Sequence, residues 1–223
     1  SDDRFAAALR GFGPLGILAT LVILFSGNST VGIVVVPVGA VLVLVWARWS
    51  RTPWRDIGYV RPRSWIGGLA IGLVFGSAFK LLMKAIVMPF IGAPAINQTY
   101  HYLAGNRPML PAAIVAMLVA GFGEETVFRG YLFERLGKLL GTSAGARVTI
   151  VLTTTVLFGL AHYPDQGWPG VEQAVGTGLV FGAIFAMTGR LWMLMCAHTA
   201  FDLTALAMIY WNLESGVAHW VFK

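Results

Sequence analysis

The 223 residues carry 16 Lys and Arg against 10 Asp and Glu, and 57% of the chain is apolar while only 12% is charged. Soluble domains spend about 25% of their residues on charge, so this composition, with a mean hydropathy of +0.73, excludes an ordinary soluble enzyme, a disordered chain and a nucleic-acid binder. One cysteine excludes a disulfide framework and a CxxC-type zinc site. A helix crossing a bilayer needs about 20 mostly apolar residues, and seven stretches meet or approach that. They run, in order, over 12–25 (ending at the turn-like Gly27-Asn28-Ser29-Thr30), 31–49, 65–91, from near 110 to past Arg129, 148–162, 174–188 and 191–211. The expectation is an all-α, polytopic transmembrane helix bundle of about seven spans (six to eight) with an intramembrane active-site cavity. It forms a single domain over 1–223, with no internal repeat. The first apolar stretch leads straight into a second, which argues against a cleavable signal peptide.

Basic residues accumulate on the cytoplasmic side of membrane proteins. Seven spans with the N-terminus inside put eleven of the sixteen there: Arg4, Arg10, Arg48, Arg51, Arg55, Arg61, Arg63, Arg135, Lys138, Arg147 and Arg190. Arg107 and Lys223 fall outside, and Lys80, Lys84 and Arg129 lie within spans. This asymmetry accounts for the net charge of +6 without nucleic acid. It predicts a multi-pass protein of the cell membrane with a cytoplasmic N-terminus, of bacterial or archaeal type, in contact with lipid. Trp46, Trp49, Trp54 and Trp65 flank the basic 48–63 loop as interfacial anchors do.

Ionisable side chains inside hydrocarbon cost about 2.5–3.5 kcal/mol each on insertion scales. Glu124, Glu125, Arg129, His162, His198 and Asp202 together cost at least about 15 kcal/mol on that scale, so they must converge on one another or on a wet cavity. Glu125 and Arg129 are four apart and can pair, while Glu124 sits about 100° round the helix and faces elsewhere. His198 and Asp202 repeat the four-residue spacing, as do Phe158 and His162, which lets an aromatic pack beneath the imidazole. Gly121, Gly123, Gly130, Gly176, Gly178 and Gly182 let helices approach closely. A Glu beside a His can take a proton from water, and the hydroxide can attack a carbonyl whose oxyanion needs donors. Depth is the difficulty: His162 lies roughly 22 Å of helix beyond Arg147, and His198 only about 10 Å past Arg190. Either part of 137–147 dips into the membrane or the helices tilt.

At these residues the chain resembles the CPBP family, the CAAX proteases and bacteriocin-processing (Abi) enzymes of membranes. EExxxR is matched by Glu124, Glu125 and Arg129, FxxxH by Phe158 and His162, and HxxxN by His198 with Asp202 in the final position. The three motifs occur in order within about 110–210. The resemblance implies an intramembrane endopeptidase in which Glu124 activates water, His162 positions it, and His198 and Asp202 serve the oxyanion or the water site. Glu125 and Arg129 would orient the motif helix, with Phe158 in support. It implies a peptide or lipidated-peptide substrate, prenylated or bacteriocin-type, and no required cofactor. It also leaves open a zinc ion held by Glu124, His162, His198 and Asp202. An ionised Asp202 would repel an oxyanion that Asn serves, so a neutral carboxyl, a partner to His198 or a metal ligand are its alternatives.

Two other readings use the same cluster. One is a proton-coupled transporter relaying protons through the buried Glu and His. The other is a non-catalytic immunity or scaffold protein that binds a peptide there. Cys196, two residues from His198, faces the other way on a helix and reads as packing, as do Met193, Met195 and Met208. Lys80 and Lys84 share a face, where they can snorkel, neutralise carboxylates or bind lipid headgroups. Nothing in the sequence speaks to the oligomeric state.

Overall fold

The computed structural model describes residues 2–27, 29–31 and 34–222. A short helix α1 (Asp2–Arg10) and α2 (Pro14–Ser26) are bent by 59° at the Gly11–Gly13 break. Next come two three-residue strands, β1 (Ser29–Val31) and β2 (Val34–Val36), paired antiparallel with Ser29 opposite Val36. The helix α3 (Val38–Ser50) follows. The expected span over 31–49 is thus only 13 residues of helix, about 20 Å. The reason is local: a run of β-branched valines favours extended backbone, and Pro37 at the helix N-cap has no N–H to continue a helix backwards. Of the expected turn, Asn28 lies outside the described residues, as does Lys223.

The longer elements are α4 (Trp65–Leu82), which continues through a π-turn (Met83–Val87) into the single turn α5 (Met88–Phe90), and α6 (Leu110–Glu124), which continues through a π-helical segment (Glu125–Tyr131) into α7 (Leu132–Leu140). They are followed by α8 (Ala144–Thr188), α9 (Trp192–Tyr210) and α10 (Glu214–Ala218). Four helical stretches are long and apolar enough to cross a membrane, and the bent α1–α2 pair makes five if it forms one span. Counting α8 as one crossing hides a feature that the sequence divided correctly into two. At Gly167 the backbone turns to φ 60°, ψ −159°, a conformation essentially reserved for glycine, and the chain doubles back. Val151 then faces Gly182, Thr155 faces Gly178, and Val171 and Val175 face Gly159, so α8 is a helical hairpin. The apolar faces turned outward, such as Ile66 and Val74 of α4 at 80% and 72% exposed, are stable only in lipid. The protein is a multi-pass helical membrane protein.

Small residues set the closeness of the central helices. A Cβ at Gly72 or Gly76 of α4 would lie 2.6 Å from Cys196 Cβ or 2.0 Å from Ala197 O of α9, and one at Gly121 of α6 would lie 2.3 Å from Thr199 Oγ1. Such contact is how helices associate where lipid removes the hydrophobic drive. Helices α4, α6 and α9 therefore form one tightly joined slab.

The basic ends meet at one face. Arg135 of α7 donates to the carbonyls of Arg10 (2.6 Å) and Gly11 (2.7 Å), which clamps the α1–α2 break. Its guanidinium lies 4.1 Å from the Phe12 ring centroid. Arg51 pairs with Asp3, and the Leu191 N–H donates to Gly58 O at 3.0 Å. Arg135, expected as a loop cation, is buried because it serves as this clamp.

Gly167→Ala should cost about 1–3 kcal/mol of strain and lower the thermal midpoint in detergent by several degrees. Gly137→Ala, in α7 with open space around it, should raise it slightly, because alanine is about 0.5–1 kcal/mol better than glycine in a helix interior.

Candidate active site

Four transmembrane elements, α4, α6, α8 and α9, and the loop between α5 and α6 line a cavity of about 120 Å³. The motif residues Glu124, Phe158, His162, His198 and Asp202 all line it. Glu124 ends the regular part of α6, and the π-helical segment begins at the next residue. Such π-turns recur at functional sites because they re-aim neighbouring side chains. The two adjacent acids part company there: the Glu125 side chain is fully buried, whereas Glu124 is 21% exposed to the cavity.

Glu125 does more than the expected pairing within its own helix. Its Oε1 lies 3.0 Å from Arg129 Nη1 and 2.8 Å from His198 Nδ1. An ionised carboxylate only accepts, so Nδ1 of His198 carries the proton and the other nitrogen, Nε2, is turned toward the cavity. That Nε2 lies 3.6 Å from Glu124 Oε2 and 3.7 Å from Asp202 Oδ2.

His162 is fixed by the same logic with a different partner. Its Nδ1 is 2.8 Å from the carbonyl oxygen of Phe158, again an acceptor only, so Nδ1 donates and Nε2 points 3.9 Å from Glu124 Oε2. The contact folds the ring back over the preceding turn of α8.

Phe158 sits beneath all of this. Its ring meets those of His162 (centroids 4.6 Å apart) and His198 (6.0 Å) edge-on, and the Arg129 guanidinium lies 4.5 Å from its centroid. A guanidinium over an aromatic face is favourable when desolvated, which helps hold a cation whose side chain is 2% exposed.

Several cavity residues carry no motif signal. Tyr100 and Asn97 come from the loop between α5 and α6, Gln166 from the bend of α8, and Gln173 and Thr177 from its returning limb. Gln166 Nε2 donates to Tyr100 Oη at 3.3 Å. Burial, reinforced by the carboxylates of Asp165, Asp202 and Glu124, pushes the Tyr100 phenol up to about 12, so it faces the cavity as a protonated donor. The polar run Asn97-Gln98-Thr99-Tyr100 was visible between two apolar spans, but nothing in it told which members turn inward. Cys196 packs against α4 at Gly72 and does not line the cavity.

Two nitrogens and two carboxylates are a donor set that zinc accepts. Among the described residues, however, no three His, Cys, Asp or Glu side chains are arranged to hold a metal ion. The arrangement in this structure does not fit a metal centre.

With this geometry in place, residues 106–204 match the family model described as type II CAAX prenyl endopeptidase Rce1-like. All three motifs lie inside the match. Over these residues, somewhat less than half of the chain, it is similar to the Rce1-like CAAX prenyl endopeptidases. The matched segment starts at residue 106, so α1 to α5, including Lys80 and Lys84, lie before it. A curated protein of Bacillus subtilis (strain 168), named an uncharacterized MFS-type transporter YttB, is 27% identical over 124 residues, covering 52% of this chain and 30% of that protein. This chain thus spans less than a third of that relative's length. No solved structure matches.

Glu125→Gln keeps the volume but leaves Arg129 buried without a counter-charge, which should cost about 3–5 kcal/mol. Thermal unfolding in detergent should show the loss, and Arg129→Met added to Glu125→Gln should restore most of it.

Proposed function

We propose that the protein is an intramembrane endopeptidase that hydrolyses a peptide bond with a glutamate-activated water. The observation that carries this reading is the position of Glu124 Oε2. It lies 3.9 Å from Nε2 of His162 and 3.6 Å from Nε2 of His198, while each ring's Nδ1 is already engaged. These separations are too long for direct hydrogen bonds and suit a water between the groups.

In the reaction, Glu124 takes one proton from the water and His162 Nε2 holds the other by its lone pair. The hydroxide adds to the peptide carbonyl carbon. The oxyanion is met by His198 Nε2–H, with a proton held there by the facing carboxylate of Asp202, and by the Tyr100 phenol. Protonated Glu124 then gives its proton to the leaving nitrogen as the C–N bond breaks, leaving a carboxylic acid and an amine. Asp202 thereby works through His198, a role the family's usual Asn does not need.

The substrate is a peptide, lipidated or not, reached within the membrane. The basic face formed by the α3–α4 loop, the α1–α2 break and Leu191 is the cytoplasmic one of a cell membrane, in keeping with the positive-inside rule, and it carries the N-terminus. The similarity to a protein named as a transporter favours a second reading, proton-coupled transport through the same cluster. It rests on 30% of that protein.

Glu124→Gln should abolish cleavage of a library of lipidated and unlipidated peptides, by about 10³-fold or more given the 10²–10⁴-fold typical of acid–base catalysis. The thermal midpoint should stay within a few degrees, and cleavage by the wild type should survive a strong chelator. Products are read by mass spectrometry. Glu124-dependent proton flux in vesicles without any cleavage would replace the protease with the transporter.

A further inference from the structure

Buried cations in this protein come with carboxylates, with one exception. Arg129 has Glu125 at 3.0 Å, Lys84 has Glu214 at 3.1 Å, and Arg135 has Glu134 at 3.9 Å. Lys80 is 5% exposed, and it alone among the buried Lys and Arg of the described residues has no carboxylate within 4.0 Å. Its only hydrogen bond goes to a neutral group, the Gln173 carboxamide oxygen, at 2.5 Å. The ammonium also lies 4.7 Å from the Phe201 ring centroid. An ammonium has three donors, so two remain uncommitted, and Lys80 lines both the active-site cavity and the pocket that adjoins it. A buried charge without a counter-charge costs several kcal/mol, and in the membrane interior such residues mark a ligand or a pathway.

We infer that Lys80 is a specificity residue that receives a carboxylate of the bound peptide, on the leaving side of the cavity that holds Glu124. This rests on the endopeptidase reading but adds a substrate feature to it. Three observations select a carboxylate. The receptor is a single cation. Its carboxamide partner uses one of its N–H groups and places no competing negative charge beside it. The ring of Phe201 lies against the ammonium, and Leu206 and Ile209 line the same cavity beside its polar groups, which suits a peptide with apolar side chains better than a hydrated phosphate. The carboxylate comes either from the peptide's own C-terminus or from an Asp or Glu side chain near the cut. The residue lies in α4, before the family match, so the three motifs do not contain it.

The test measures binding and cleavage separately. N-acetyl-trileucine and its C-terminal amide are titrated by calorimetry into wild type, Glu124→Gln, Lys80→Met and Lys80→Arg proteins in detergent. A second pair of amidated peptides carries Glu or Gln as the middle residue. The free acid should bind wild type and Glu124→Gln about 10- to 100-fold more tightly than the amide, the range for a hydrogen bond to a charged group. Lys80→Arg should keep the preference and Lys80→Met should erase it, with a thermal midpoint equal to wild type or higher, since replacing an unpaired buried charge with an apolar group does not cost stability. If the amidated Glu peptide shows the preference and the free acid does not, the carboxylate is a side chain. Equal binding within both pairs by wild type (acid with amide, and Glu peptide with Gln peptide), no binding of any of the four, or a Lys80→Met protein that keeps the preference would each overturn the inference. A preference for the acid in binding, with no peptide cleaved by wild type, would sink the endopeptidase reading and leave the carboxylate receptor standing.

Discussion

A single oxygen atom, Oε1 of Glu125, is the point on which the site depends. It sits in the interior with no exposed surface and takes both the Arg129 guanidinium of its own helix and the Nδ1–H of His198 from α9. The carboxylate settles three things at once: the tautomer of His198, the direction in which its second nitrogen points, and the charge balance around a cation that lies over the Phe158 ring. Removing its charge would leave a guanidinium alone in a medium where that costs several kcal/mol. The conspicuous acid of the pair in chemical terms is Glu124, yet Glu124 has somewhere to aim only because its neighbour has fixed the histidine opposite.

The same economy recurs away from the site. Glu214 of α10 accepts from Lys84 and from the backbone N–H of Asn97, and Asn97 in turn accepts from the N–H of Tyr100. A buried ion pair thereby anchors the loop that carries the phenol over the cavity. Thr99 reaches the Asp165 carbonyl, and the Gly105 N–H reaches Tyr210 O, so the loop between α5 and α6 is tied to α8, α9 and α10. Polar groups otherwise out of place in a membrane protein are thus spent on holding backbone that is neither helix nor strand, where lipid offers it no partner.

How much of this could be read beforehand depends on the range of the interaction. The pairings four residues apart, Glu125 with Arg129, Phe158 with His162 and His198 with Asp202, follow from helical geometry and are all present. The division of 148–188 into two limbs also followed from the apolar runs, although one continuous helical assignment covers both. What depends on helices meeting was hidden. Nothing in the spacing joins Glu125 to His198, 73 positions apart, or Lys84 to Glu214, 130 apart. Lys80 and Lys84 look alike in the sequence, one turn apart on one face. Only the facing elements separate them, a carboxylate for one and a carboxamide for the other. The second apolar stretch shows the opposite error, since hydropathy counted Val34–Val36 toward a helical span, whereas these β-branched residues before Pro37 form a strand.

The helical hairpin bent at Gly167 has a mechanical consequence. Its two limbs pack glycine to valine and threonine at Gly159, Gly178 and Gly182. Helices α4, α6 and α9 are fused just as closely through Gly72, Gly76 and Gly121. The boundary between these two bodies runs through the cavity, with His162 on one bank and Glu124, His198 and Asp202 on the other, and it is crossed by the Lys80–Gln173 and Tyr100–Gln166 bonds. Any displacement of the hairpin against the slab would change the distance from His162 to Glu124, and it is resisted by Phe181 and Phe185 of the hairpin, which pack among Leu194 and Ala197 of α9.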